Sequence, residues 1–282
     1  MRWDFGQVYQ KIRKSKGISQ SQAAGNFCSR GHLSNIEKNK DIPSYELMEH
    51  LLRQIDMTFG EFEHICNYYK PSKRKNILLK ISKHSSAINI DDLKEIAQLC
   101  EEYLKEVEDL PIQNVLNLVR VFIEIRTNGP SEKANELADI IWQDLQKRDA
   151  WYANDLRMLG AILYFFNFET IQETTDKILD SLARYRDYMD LQKVHFSILS
   201  NLATIYLRNN HKNKCLELSQ QALELALEQK RYDQLGFSQI RIGICTKDKV
   251  LIDKGRQLLE LTNETTLLHQ LQKEIQDYSS KV

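Results

Sequence analysis

The most concentrated hydrogen-bonding chemistry in this sequence lies in SRGHLSNIEKNK, residues 29–40. Arg30 carries a planar fork of donors that matches O6 and N7 of guanine, and Asn35 offers the paired donor and acceptor that suit an adenine edge. Lys38 and Lys40 add point charges suited to phosphates, which position a protein without specifying sequence. Solvated surface helices carry the same residue types, so the flanks have to decide between the two readings. Elsewhere the chemistry is thin. There is no glycine loop to cradle phosphate, no metal-ligand spacing and no nucleophile with a base at a recognisable interval, so an enzyme is not expected, nor a metal or cofactor. The five cysteines (Cys28, Cys66, Cys100, Cys215 and Cys245) include no CxxC pair. They suggest neither a disulfide framework nor a zinc site and read as small buried apolar residues, with Cys28 a candidate thiol switch. His84, His195, His211 and His269 are scattered rather than clustered.

The 282 residues suffice for two domains, or for a small domain joined to a repeat array. Lys plus Arg and Asp plus Glu number 39 each, so any attraction to an anionic polymer has to come from a local patch. Ten glycines and four prolines are few for this length. Leu, Glu, Lys and Gln abound while Val/Ile/Thr alternation is nearly absent, and this composition predicts an all-α protein. No apolar run approaches the roughly 18 to 20 residues a membrane helix needs. The N-terminus MRWDFGQVYQKIRKS lacks the apolar stretch of a signal peptide, so a cytoplasmic location is expected.

Residues 4–69 break into five short helical segments. The first, from Asp4 to Ser15, places Phe5, Val8 and Ile12 on one face and ends at Gly17. The second starts at Ser19 as N-cap and turns Ala23, Ala24 and Phe27 inward. The third is the quoted stretch, capped by Ser29, with Leu33 and Ile36 buried. Pro43 and Ser44 open the fourth, which carries Leu47, Leu51 and Leu52, and the fifth offers Phe62, Ile65 and Cys66. Five short helices with almost no connection between the second and third match a helix-turn-helix domain.

The stretch GISQSQAAGNFCSRGHLSNIEKNKDIPSYELMEHLLRQIDMTFGEF resembles the Xre/phage-repressor family, with Gln20, Ala24, Ser29, Ile36, Glu37 and Pro43 matched together. That family usually has Gly two residues after the Glu, where the chain turns with positive φ. Here Asn39 stands in, the next-best residue for that conformation. The resemblance implies that Gln20 bonds a phosphate at the start of helix two. It places Arg30, Gly31, His32, Ser34 and Asn35 in the major groove, on a helix whose cap, Ser29, belongs to the same DNA-facing set. Lys38 and Lys40 would neutralise phosphates, joined by Lys11, Arg13, Lys14 and Lys16, although KIRKSK also reads as a solvated face. Gly31 within a first helical turn marks either a frayed start or close backbone approach to the groove. One such domain has a small footprint, so binding to paired half-sites as a homodimer is expected.

Beyond a linker at 70–76, residues 77–282 contain longer helices in pairs. The clearest unit is LSNLATIYLRNNHKNKCLELSQQALELALEQKRY, with Leu199, Leu202, Ala203, Tyr206, Cys215 and Ala222 at tetratricopeptide-like spacings. Another pair breaks at Asn128-Gly129-Pro130. Four or five hairpins would stack into a right-handed solenoid with a concave face. The last segment, with Leu267, Leu268, Leu271 and Ile275 on its apolar side, would cap the array and contact a second subunit.

A domain of Xre type followed by such an array resembles the Rgg/GadR/MutR regulators of Gram-positive bacteria in architecture and length, with a local likeness around DAWYANDLRMLGAILYFFN. The resemblance implies a transcriptional regulator controlled by a short signalling peptide on the concave face. An extended peptide needs amide side chains for its backbone, Arg for its carboxylate and apolar pockets. The polar candidates are Arg120, Asn154, Arg157, Asn201, Gln239 and Arg241, with Asn154 and Asn201 on backbone and Arg157 or Arg241 on the carboxylate. Tyr152, Phe165, Phe166 and Tyr185 are the apolar walls, while Trp142 and Trp151 read as core. Each Asn also reads plainly as a cap or a surface group. The alternative function is a repressor or antitoxin whose array binds a partner protein.

Overall fold

The computed structural model describes residues 4–83 and 89–279, which form helices α1 to α16 joined by short turns. They divide into two compact units, one comprising the chain up to Asn89 with Gln98–Val107 and the other Ile90–Ala97 with the chain from Glu108 onward. His84 lies outside the described residues.

The first unit contains α1 (Phe5–Ser15), α2 (Gln20–Ala24), α3 (Arg30–Glu37), α4 (Tyr45–Gln54), α5 (Phe59–Cys66) and α6 (Lys73–Lys83). Hydroxyl caps set the starts of α2 to α5. The side chains of Ser19, Ser29, Ser44 and Thr58 accept from the backbone N–H of Gln22, His32, Leu47 and Glu61. Each satisfies a donor the first turn leaves without a partner, typically worth about 1 kcal/mol. The core gathers Tyr9, Ala23, Ala24, Leu33, Ile36, Leu47, Leu51, Leu52, Ile55, Phe62 and Cys66.

Two local expectations change. Phe5, Val8 and Ile12 only flank that core, and the face of α1 that is fully buried carries Gly6, Tyr9 and Arg13. Gly6 is required there, because a Cβ would lie 1.9 Å from the Ile36 carbonyl oxygen. Phe27 is 61% exposed rather than inward, and stacks on His50 with ring centroids 4.2 Å apart. Asn39 does adopt the left-handed conformation (φ 56°), and its Oδ1 accepts from the Gly6 N–H at 2.8 Å, so the turn after α3 also pins the start of α1. The segment expected as linker is not loop throughout. Lys73 already begins α6, with Ser72 Oγ accepting from the Lys75 N–H at 3.3 Å.

Helix α7 (Ile90–Leu104) is followed in the second unit by α8 (Leu110–Asn128) and α9 (Glu132–Leu145). Next come α10 (Ala153–Ile162) and α11 (Phe168–Ala183), then α12 (Gln192–Arg208) and α13 (Lys212–Glu228). The last helices are α14 (Tyr232–Thr246), α15 (Lys249–Leu261) and α16 (Thr265–Ser279). Four successive pairs, α8 to α15, are therefore stacked, and Leu271 of α16 is buried at the end of the row. The small residues predicted for the α12/α13 contact, Ala203, Cys215 and Ala222, are all buried. Between α14 and α15 the approach is closer still, since a Cβ on Gly255 would sit 2.5 Å from the Gly236 carbonyl oxygen. Trp151 is core, as expected: its indole N–H donates to the Leu145 carbonyl at 2.9 Å, and the Lys177 ammonium lies 4.3 Å from its ring centre.

Candidate DNA interface and repeat-unit site

Helix α3 splits its residues by face. Leu33, Ile36 and Glu37 are buried, while Arg30, Gly31, His32 and Asn35 are exposed and Ser34 is half-buried. The buried face holds a polar anchor that periodicity alone did not single out. Arg13 closes on Glu37 with Nε–Oε1 at 2.6 Å and Nη2–Oε2 at 3.0 Å, and both side chains are at most 5% exposed. Gln10 and Gln20 donate their amide nitrogens to Glu37 Oε2 at 2.9 and 2.8 Å. Burial pushes the Glu37 carboxyl up, but the hydrogen bonds from Arg13, Gln20 and Gln10 outweigh it and hold the group below the usual carboxylate range. Arg13 also donates to the Ile18 carbonyl at 2.5 Å. A side chain so enclosed cannot serve as one of the expected phosphate contacts. Lys16 leaves that set too, because its ammonium reaches the carbonyls of Ile55 and Asp56 at the end of α4.

From this anchor the contacts lead outward. Gln20 gives one amide hydrogen to Glu37 and turns its oxygen toward the Arg30 Nε at 3.5 Å, which leaves a second amide hydrogen for a phosphate. Gln10, Arg13, Lys14, Ser19, Gln20, Ser21 and Arg30 line an open depression beside the exposed face of α3. Ser19 was read from sequence only as a helix cap and Ser21 not at all; their hydroxyls at the start of α2 are the signal for this face. Lys38 and Lys40 are exposed at and beyond the helix end. A Cβ at Gly31 would have only the Ser29 Oγ near it, at 3.8 Å, so packing does not require a glycine there. Burial raises the Cys28 thiol, the opposite of an activated thiolate.

In the second unit the predicted residues divide. Asn154 and Arg157 are joined, with Arg157 Nη1 to Asn154 Oδ1 at 2.9 Å and Nη2 to the Asp190 carbonyl at 3.2 Å. Asn201 donates to the Gly160 carbonyl at 3.1 Å and accepts from the Tyr164 hydroxyl at 3.2 Å, bridging α10 and α12. Tyr164 is 49% exposed and was missed from sequence, although it stands beside the singled-out Phe165 and Phe166. Tyr152 is exposed, Phe165 is half-buried, Phe166 packs 4.6 Å from Trp142, and Tyr185 packs 5.9 Å from Tyr188. Arg120 is exposed on α8, and Gln239 is half-buried on α14.

Arg241 is the correction. It is 1% exposed, donates to Thr204 Oγ1 at 2.9 Å and pairs with Glu274 of α16 at 2.7 Å. A cation already neutralised inside the stack is unavailable to clamp a ligand carboxylate. Among the described residues no group of three or more His, Cys, Asp or Glu is placed to hold a metal ion, and no helix is long and apolar enough to cross a membrane.

A helix-turn-helix family model matches residues 10–62, which span α2, α3 and α4 and about half of each of α1 and α5. No curated protein matches the sequence. Solved structures do match in fold. A candidate transcriptional regulator from Listeria monocytogenes is 17% identical with a TM-score of 0.76, covering 100% of this chain and 99% of its own. The SHP pheromone receptor Rgg2 of Streptococcus dysgalactiae is 16% identical with a TM-score of 0.72, covering 97% and 99%. PlcR of Bacillus thuringiensis, solved with the peptide PapR7 and DNA, is 15% identical with a TM-score of 0.69, covering 96% and 98%. The chain thus has, along nearly its whole length, the fold of these proteins: a helix-turn-helix unit followed by stacked helical pairs.

Proposed function

We propose that this protein is a cytoplasmic, homodimeric transcriptional regulator that reads paired DNA half-sites with α3 and is switched by a short signalling peptide held in the second unit. The observation that carries the reading is the division of α3. One face is locked to the fold through Glu37, and the other presents Arg30, Gly31, His32 and Asn35 to solvent, with Arg30 reaching across to Gln20 at 3.5 Å. The match in fold to PlcR, solved with its peptide and DNA, supports assigning both ligands to this architecture. In this reading Arg30 and Asn35 contact base edges. Gln20, Lys38 and Lys40 contact phosphates, and Gly31 lets the backbone approach the groove. For the peptide, Asn154 and Asn201 hold backbone, Arg157 replaces Arg241 as the carboxylate partner, and Tyr152, Phe165, Phe166 and Tyr185 supply apolar contact beside Arg120 and Gln239. In this reading the helices up to α5 carry DNA binding and the stacked pairs from α8 onward carry peptide binding, with α6, which belongs to the first compact unit, following the expected linker at 70–76.

The test is fluorescence polarisation of the purified chain on its own upstream DNA, with and without synthetic peptides encoded by short reading frames near its gene. The expected result is saturable DNA binding that Arg30→Ala abolishes, and a peptide effect that Asn154→Ala removes while DNA binding persists. DNA binding that no such peptide alters would overturn the peptide assignment in favour of a partner protein. Sequence-specific binding that survives Arg30→Ala would overturn the assignment of α3.

A further inference from the structure

Successive helices α13 and α14 each carry one cysteine at their contact. Cys215 is fully buried and Cys245 is half-buried, and their sulfurs are 3.4 Å apart, closer than the separation at which unbonded sulfurs usually rest. Both are free thiols with the Cys245 S–H directed at Cys215, so the pair shares a proton along one short contact. The surroundings are not apolar. Ser219 Oγ lies 3.9 Å from Cys215, and the buried Arg241 guanidinium stands one turn before Cys245 on α14, with an Nε that has no hydrogen-bond partner. The hydrogen bond from Cys245, and then the Arg241 charge, pull the Cys215 thiol down against the effect of burial, while the Cys245 thiol is raised. Ionisation of the pair is therefore easier than that of an isolated buried thiol, and a thiolate is what thiol oxidation requires.

We propose that Cys215 and Cys245 form an oxidisable dithiol that a peroxide converts to an intrachain disulfide joining α13 to α14. When the pair has given up one proton to solvent and the remaining one passes along the S–H···S contact from Cys245 to Cys215, the thiolate stands on Cys245, the sulfur nearer the surface. That thiolate attacks one peroxide oxygen, the O–O bond breaks, and the departing alkoxide or hydroxide takes up from solvent the proton the pair had released, leaving as alcohol or water. The sulfur becomes a sulfenic acid. The Cys215 sulfur then attacks the sulfenic sulfur, an S–S bond forms as the S–O bond breaks, and hydroxide takes the remaining thiol proton to leave as water. With hydrogen peroxide, two thiols and one peroxide yield one disulfide and two waters. The sulfurs must approach by about a further 1.4 Å to reach bonding distance, a movement within reach of side-chain rotation.

The experiment is titration of the folded, full-length protein with hydrogen peroxide, followed by blocking of remaining thiols, proteolysis and mass mapping. The expected product is one peptide pair joined through Cys215 and Cys245, two hydrogens lighter than the reduced pair, with the chain retaining three of its five thiols. Dithiothreitol should reverse it. Cys245→Ala should leave Cys215 unoxidised under the same dose, because the buried thiol loses the sulfur that gives it access. The inference is overturned if the wild-type protein reaches sulfinic acid at Cys245 with no joined peptide, or if both thiols stay reduced while Cys28 is oxidised. The wild-type map decides the matter whether or not either variant folds.

Discussion

Replacing Glu37 by Ala probes the physics of the first unit most directly. The substitution removes a carboxylate that accepts four hydrogen bonds at 2.6, 3.0, 2.9 and 2.8 Å from Arg13, Gln10 and Gln20. What remains is an Arg13 cation that is 5% exposed, with no counter-ion. Breaking a buried pair by deleting one partner costs about 3–5 kcal/mol, because the surviving charge stays out of water. Against a domain stability of roughly 5–15 kcal/mol, that is a large share of the total. Hydrogen exchange of amides in α1 and α3, read by mass spectrometry on the intact chain, isolates this unit from the repeats. Protection there should fall by about two to three and a half orders of magnitude, at roughly 1.4 kcal/mol per factor of ten. Adding Arg13→Met to Glu37→Leu should recover most of the loss, since a packed apolar pair of similar volume is often neutral relative to a buried ion pair. A cost below about 1 kcal/mol for Glu37→Ala, or a double variant no better than the worse single one, would refute the claim that this pair anchors α3.

Other outcomes follow from the same geometry. Gly31→Ala should stabilise the first unit by about 0.5–1 kcal/mol in that exchange assay, because its Cβ meets only the Ser29 Oγ at 3.8 Å, while weakening DNA binding in polarisation. Gly255→Ala should have the opposite sign, lowering the thermal midpoint of the second unit by about 1–3 kcal/mol equivalent, because its Cβ falls 2.5 Å from the Gly236 carbonyl oxygen. Acid should destabilise the first unit in a defined direction. The Glu37 carboxyl is held below its ordinary 4.5, so its contribution is fully present above that value and disappears as pH falls through the lower folded-state range. Exchange protection corrected for intrinsic rates should stay flat from neutral pH to about 5 and then drop, and the drop should be absent from the Arg13→Met/Glu37→Leu variant.

The local rules of the chain were legible where they depend on a few neighbouring residues. Ser19, Ser29 and Ser44 cap helices as their position before an apolar run predicts, and Asn39 takes the left-handed turn that the resemblance assigned to glycine. Legibility failed where a side chain's partner lies far along the sequence. Arg13 looked like one more charge in KIRKSK, and only the fold brings Glu37, 24 residues away, against it. Arg241 looked like a surface clamp because arginine is mostly exposed, yet its partner Glu274 is 33 residues on. Phe27 was taken as core from its type, but α2 ends at Ala24 and the three-residue spacing that would have turned Phe27 inward no longer applies. The Cys215–Cys245 contact has the same origin, since it arises from the stacking of successive helices rather than from a motif.

The Arg241–Glu274 pair changes what the last helix is for. Were α16 only a lid that sets its Leu271 against the end of the stack, shortening the chain would expose a small apolar patch and little else. Because Glu274 supplies the carboxylate that neutralises a 2%-exposed side chain on α14, a cut anywhere ahead of it strands a positive charge in the interior two helices away. Proteolytic nicking or a stop codon in α16 would therefore be felt first at Arg241 and at Thr204 beyond it, inside the stack rather than at its end.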